Sequence, residues 1–169
     1  THGYFSPTVN ATLDPAAEPQ VVRLAVEPGE PTRVTAVDLR LAGAIAEDRA
    51  GEEAMLARLR EDWPLPVGTV FTQADWDRAK RLAVALVSDR LYAGARIAAS
   101  EARIDPATRA ATLAVAIDSG PPLRFGALQI TGTARHDEAR VRSLWTFAPD
   151  EPYDREKLER FQRRLVATG

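Results

Sequence analysis

Apolar and polar residues alternate strictly through Val37-Asp38-Leu39-Arg40-Leu41, the pattern of a strand with one face in a core and the other in water. Downstream, Met55, Leu56 and Leu59 recur among charged residues between positions 49 and 62. This predicts a helix closed at Trp63-Pro64, where proline cannot continue it. The next helix has the clearest start: Thr72 as N-cap, Asp75 at the capping-box position, and Phe71 with Trp76 as a hydrophobic staple. Trp76, Ala79, Ala83, Leu86 and Val87 then recur at three- and four-residue steps and give one apolar face. Two strands are predicted over about 95–104 and 110–117, joined across Asp105-Pro106-Ala107-Thr108, with proline at the first central turn position. The second sets Leu113, Val115 and Ile117 on one face and small alanines on the other. The predicted order is β-α-α-β-β, with both helices on the apolar face.

The same patterns return along the chain. Asp14-Pro15-Ala16-Ala17 reappears as Asp105-Pro106-Ala107-Thr108, an offset of 91 at which Val22, Leu24 and Val26 fall on Leu113, Val115 and Ile117. Arg33, Val34, Val37 and Leu39 fall at that offset on Arg124, Phe125, Leu128 and Ile130. Positions 63–71 match 145–153 at an offset of 82, and Tyr153, Asp154, Leu158, Phe161 and Leu165 repeat the cap, staple and stripe of the second helix. Thr1-His2-Gly3-Tyr4 matches Asp89-Arg90-Leu91-Tyr92 at an offset of 88. A unit of this length is too long for a solenoid repeat and fits a string of small domains. The linkers Pro28-Gly29-Glu30-Pro31 and Ser119-Gly120-Pro121-Pro122 are short, so neighbouring units should bend but stay roughly end to end.

Composition narrows the function. With 45% hydrophobic residues in 169, a real core is expected, and a formal net charge of -2 with mixed signs makes nucleic acid an unexpected partner. The absence of cysteine excludes disulfides, thiolate metal sites and cysteine nucleophiles. No apolar run is long enough to cross a membrane as a helix, and no signal-peptide pattern opens the chain. Thr1-His2-Gly3-Tyr4-Phe5 begins in mid-pattern, so a fragment of a longer protein is expected. His2 and His136 have no second histidine at ligand spacing; Glu52-Glu53 and Asp75/Asp77 read as solvated or capping charges; Phe71, Trp76 and Tyr153 read as core. No phosphate loop or nucleophile elbow is present, and neither enzymatic activity nor a cofactor or metal is expected.

The β-α-α-β-β order, Gly3-Tyr4-Phe5, the run 118–126 (DSGPPLRFG) and Glu151-Pro152-Tyr153-Asp154 together resemble POTRA domains of outer-membrane assembly proteins. Within the BamA/TamA superfamily the resemblance is to the periplasmic arm of TamA-like members. It implies an α+β fold of tandem POTRA repeats, each with two helices on a three-stranded mixed sheet. On this resemblance residues 1–30 are the closing hairpin of one POTRA, 33–118 a complete one, and 123–169 the opening strand and helices of a third. It further implies a periplasmic protein-binding role beside an outer-membrane barrel, with outer-membrane protein or autotransporter clients and a TamB-like inner-membrane partner.

The strand after the second helix is implied to lie at the sheet edge, able to add an incoming strand. Its residues are Ala95, Arg96, Ile97, Ala98, Ala99, Ser100, Glu101, Ala102, Arg103 and Ile104. Arg96, Glu101 and Arg103 equally suit protection of that edge from aggregation. Arg33 and Arg124, at matching linker-to-strand boundaries, are expected to bond across the inter-repeat junction. Two other machines share the fold, two-partner secretion transporters and cell-division proteins, and an α+β small-ligand enzyme domain is the alternative of another class. The two flanking pieces are complementary halves, so neighbouring molecules are expected to combine into a composite POTRA in a crystal.

Overall fold

The computed structural model describes residues 3–14, 21–131 and 138–167; His2 and His136 lie outside them. β1 (Thr8–Asp14) and β2 (Val21–Glu27) form an antiparallel hairpin. β3 (Arg33–Ala42), α1 (Arg49–Glu61), α2 (Gln73–Ser88), β4 (Arg96–Asp105) and β5 (Ala110–Asp118) follow in β-α-α-β-β order. Their sheet is mixed, with strand order β3-β5-β4: β3 runs parallel to β5, and β4 antiparallel to it. The last strand in sequence therefore sits in the middle, and β4 at an edge.

The alternation in β5 explains its place. Ala111, Leu113, Val115 and Ile117 are buried to 2% exposure or less, against the side chains of two neighbouring strands and the helical layer. That layer contributes Leu59 from α1 and Trp76, Ala79, Ala83 and Val87 from α2. The two small residues at the centre of the α2 stripe, Ala79 and Ala83, bring the helix close to the sheet. Trp63, Leu65 and Phe71 fill the core from the connection between the helices, and the Trp63 indole N–H is satisfied by the Leu65 carbonyl at 3.1 Å. Trp63 and Trp76 meet edge to face at 6.3 Å.

The α2 cap forms where expected, with one change in its bonding. The Thr72 Oγ1 accepts from the Asp75 N–H at 3.1 Å, and its hydroxyl donates to Asp75 Oδ2 at 2.7 Å. An aspartate is one methylene shorter than glutamate, so the box closes on the cap's hydroxyl. α4 (Arg155–Val166) repeats the device, Asp154 Oδ1 accepting from the Lys157 N–H at 3.0 Å. The hairpin turn is held by Asp105, whose Oδ1 accepts from the Ala107 N–H at 2.9 Å and whose Oδ2 accepts from the Thr108 hydroxyl at 2.6 Å. These bonds keep its carboxyl below the usual carboxylate range, the Thr108 bond contributing most.

Several features depart from the expected pattern, among them a register shift in β3 between Val34 and Ala36. A 3-10 turn, Ala44–Glu47, buries Ile45 beneath β3. β4 carries a bulge between Ile97 and Ala99. Ile97 is odd-numbered while Ala102 and Ile104 are even, so one extra residue is required to turn all three inward. Finally, the opening strand expected near 123 forms no ladder among the described residues, where Arg124 makes an isolated bridge to Pro152. In the complete unit β3 is held by β5, and among the described residues no strand takes that place after α4. Phe125, Phe147 and Phe161 nevertheless collect into a second, smaller core with α3 (Glu138–Leu144) and α4, joined by half-buried Leu144, Trp145, Leu158 and Leu165.

Candidate functional site

β4 presents two faces and one free edge. Ile97, Ser100, Ala102 and Ile104 lie opposite Ile117, Val115, Leu113 and Ala111, on the side of the helices. Ala99, Glu101 and Arg103 lie opposite Ala116, Ala114 and Thr112 on the outer face. Ala98 is the bulged residue, and Ala95 precedes the strand with its N–H bonded to the Tyr92 carbonyl at 2.9 Å. In an antiparallel ladder, alternate residues turn their backbone groups toward the neighbour, so the other half of β4 points away from β5. No strand among the described residues occupies that side.

The charges on this edge are solvated. Arg103 and Glu101 pair at 3.0 Å with both side chains more than 60% exposed, and Arg96 pairs with Asp118 across to β5. Such pairs contribute little stability. They flank the edge without closing it.

A groove of about 480 Å³ runs between β4 and α2, lined by Asp77, Lys80, Arg81 and Val84 from the helix and Ile97 and Ser100 from the strand. Its floor is apolar and its helical rim charged. Lys80 binds Asp77 at 2.9 Å, and its ammonium lies 5.3 Å from the centre of the Trp76 ring. The Asp77 carboxyl is held below its ordinary range, first by Lys80 and then by Gln73. An extended chain added to β4 would lay alternate side chains into this groove. On the opposite face of the sheet, a second depression of about 620 Å³ is floored by Ala99, Ala114 and Ala116 beside the Asp38–Arg40 pair.

Among the described residues, the side chains of Arg33 and Arg124 each bond to a carbonyl within the same segment. The Arg33 Nη1 donates to the Gly68 carbonyl and the Arg124 Nη1 to the Asp150 carbonyl, each at 2.8 Å. Gly68 and Asp150 occupy matching positions in the repeat, and both have positive φ, 95° and 64°. A left-handed residue turns its carbonyl outward, and the arginine reaches it.

The same backbone bonds recur at both junctions. Thr32 N–H donates to the Gly3 carbonyl at 2.8 Å and Phe71 N–H to the Thr32 carbonyl at 2.9 Å. The same pair of bonds recurs as Leu123 to Leu91, at 2.6 Å, and Tyr153 to Leu123, at 3.0 Å. Gly3 and Leu91 both have positive φ, and a Cβ at Gly3 would lie 2.8 Å from the Phe71 carbonyl oxygen. At the second junction Leu91 N–H also donates to Tyr153, Arg155 N–H to Asp89, and the Arg155 guanidinium reaches the buried Ser88 hydroxyl at 3.0 Å. Leu91, Tyr153 and Arg155 were not legible as junction residues; the offsets of 88 and 82 were the available signal.

Among the described residues no group of three His, Asp or Glu side chains is placed to hold a metal ion. Glu53 pairs with Arg49, Asp75 with Thr72 and Arg78, and Asp77 with Lys80.

No protein-family model matches the chain. Among solved structures, a crystal structure of Haemophilus influenzae BamA POTRA3-5 aligns at 18% identity and a TM-score of 0.61, over 99% of this chain. The chain spans 64% of that structure's length. The N-terminal domain of Omp85 from the thermophilic cyanobacterium Thermosynechococcus elongatus aligns at 14% identity and a TM-score of 0.36, over 99% of this chain and 67% of that one.

Proposed function

We propose that this chain, which has the POTRA fold, is a periplasmic protein-binding scaffold of an Omp85-type outer-membrane assembly machine. Residues 33–118 act as a complete unit, and 1–30 and 123–169 as parts of its neighbours. The observation that carries the reading is the edge strand β4, whose outward backbone groups border an apolar-floored groove against α2. Strand addition there supplies main-chain hydrogen bonds for affinity and the groove supplies side-chain selectivity. It suits clients whose membrane strands alternate polar and apolar residues. Gly3-Tyr4-Phe5 and Glu151-Pro152-Tyr153-Asp154 support a TamA-like parent, with autotransporter clients and a TamB-like inner-membrane partner. The role is positioning rather than catalysis. No described helix is long and apolar enough to cross a membrane.

The test is a titration with a soluble, alternating ten-residue peptide. Ser100→Trp fills the groove from the strand side without entering the buried core and is expected to weaken binding about tenfold, equivalent to about 1.4 kcal/mol. Asp38→Trp, on the outer face of β3, should leave binding unchanged. Equal affinity of the Ser100 variant and the parent chain would remove the groove from the reading.

A further inference from the structure

The helical wall of the groove between α2 and β4 has a chemistry of its own. Asp77, Lys80, Arg81 and Val84 follow at three- and four-residue steps, so they form one stripe beside the buried stripe of Trp76, Ala79, Ala83 and Val87. α2 runs into β4 through a short connection, and chain order therefore puts Val84 and Ile97 at one end of the groove and Asp77 at the other. The Val84 end is apolar. Further along, two cations meet one carboxylate. Lys80 takes Asp77 at 2.9 Å, and Arg81 is left exposed with no ion-pair partner among the described residues.

The stripe recurs on α4. At the offset of 82, Asp77, Lys80, Arg81 and Val84 fall on Glu159, Gln162, Arg163 and Val166, and these four, with Ala167, line a depression of about 410 Å³. The neighbouring buried stripe changes size between the two helices, Phe161 standing for Ala79 and Leu165 for Ala83. The acid, the arginine and the valine keep their chemistry at the surface, where stability alone places little demand on residue type. One change of charge separates the two copies. With Gln162 in place of the lysine, Arg163 pairs with Glu159 at 3.8 Å. In α2, Lys80 occupies the carboxylate and so frees Arg81 for an incoming group.

We infer that the groove selects strands with an acidic side chain two residues from an apolar one, Arg81 being the specificity-determining residue and Val84 with Ile97 the apolar seat. This rests on strand addition at β4, and the occupant is an extended segment of another protein. Spacing carries the motif. Val84 and Arg81 are three residues apart on a helix, about 4.5 Å along its axis, and the arginine side chain extends beyond that. Same-face residues of a strand are about 6.7 Å apart. An apolar side chain seated at Val84 therefore places its same-face neighbour beside the Arg81 guanidinium. A carboxylate there gains a partner, whereas a lysine there meets two cations and is rejected. The formal net charge of -2 gives acidic ligands no general attraction to the chain, so the preference is local to the groove.

The test titrates the complete chain with three soluble peptides of one alternating sequence, differing only at a central position on the apolar face, which is glutamate, glutamine or lysine. Glutamate should bind about threefold tighter than glutamine, and lysine weakest, the scale of an exposed ion pair. The differences should shrink as salt is raised. Arg81→Glu should reverse the order of the three peptides. Lys80→Gln, which returns Asp77 to Arg81 as in α4, should remove the glutamate preference. Arg49→Gln, which removes a cation at the start of α1, should leave the order unchanged. Equal affinity of the parent chain for all three peptides would overturn this inference and leave strand addition standing. Absence of binding by all three would remove strand addition itself, and this inference with it. A glutamate preference that survives Arg81→Glu would overturn the assignment to Arg81.

Discussion

Leu113 and Leu24 lie on equivalent strands of two repeats, and truncating each to alanine tests how differently the copies are packed. Leu113 is fully buried beneath the helices. Leu→Ala removes three carbons, about 2.4 kcal/mol at roughly 0.8 kcal/mol per buried methylene. The cavity left in a closed cluster raises the cost to about 3–4 kcal/mol. Leu24 is 65% exposed, so only about a third of that transfer term applies, about 0.8 kcal/mol, with no cavity to add. Urea unfolding in dilute solution, followed by tryptophan fluorescence, reads the difference, because Trp63 and Trp76 are both in the main core. Leu113→Ala should move the midpoint strongly and Leu24→Ala barely. Equal costs would refute the picture of one covered and one bare hairpin.

Thr72→Ala removes the α2 cap and should cost about 1 kcal/mol of unfolding free energy in the same assay; no change in midpoint would mean that the cap is immaterial. Arg124→Ala frees the Asp150 carbonyl and should speed amide exchange at Phe125 and Asp150, whose N–H groups bond across that turn, while α2 amides stay protected; uniform acceleration would place Arg124 in a wider network. The Asp105 carboxyl is held below its ordinary range by Thr108 and Ala107, so its contribution is complete above the unfolded-state value and fades as pH falls through the lower folded-state value. The stability gap between the parent chain and Asp105→Ala should therefore shrink on acidification below the normal carboxylate range; a gap constant with pH would contradict this.

The strands and the α2 boundary were legible because their signals are local. Thr72 with Asp75 fixes a helix start within four residues, and the alternation from Leu113 to Ile117 fixes a buried face. Sheet order was supplied by the family resemblance and not by any local pattern, since nothing within β5 says that it lies between β3 and β4. The bulge at Ala98 was present in the sequence as a mismatch of parity between Ile97 and Ala102, visible only once both are required to face the same core. Arg33 and Arg124 illustrate the opposite case. Their recurrence identified a shared device, but its partner is a carbonyl set by the left-handed turn at Gly68 or Asp150, and sequence separation gives no direction for that bond. The α2 half of the groove was missed because Asp77, Lys80 and Arg81 read as an ordinary polar helix face until β4 is laid beside them.

Hydrogen exchange on the complete chain, with and without an extended alternating peptide, addresses the docking edge most directly. Backbone amides of β4 that point away from β5 have no strand partner and should exchange quickly in the free chain. Saturating peptide should slow those amides, in a pattern alternating along 96–105, and leave the exchange of β3 amides beyond Val34 unchanged. Protection confined to β3, or peptide binding with no slowing anywhere along β4, would contradict strand addition at this edge.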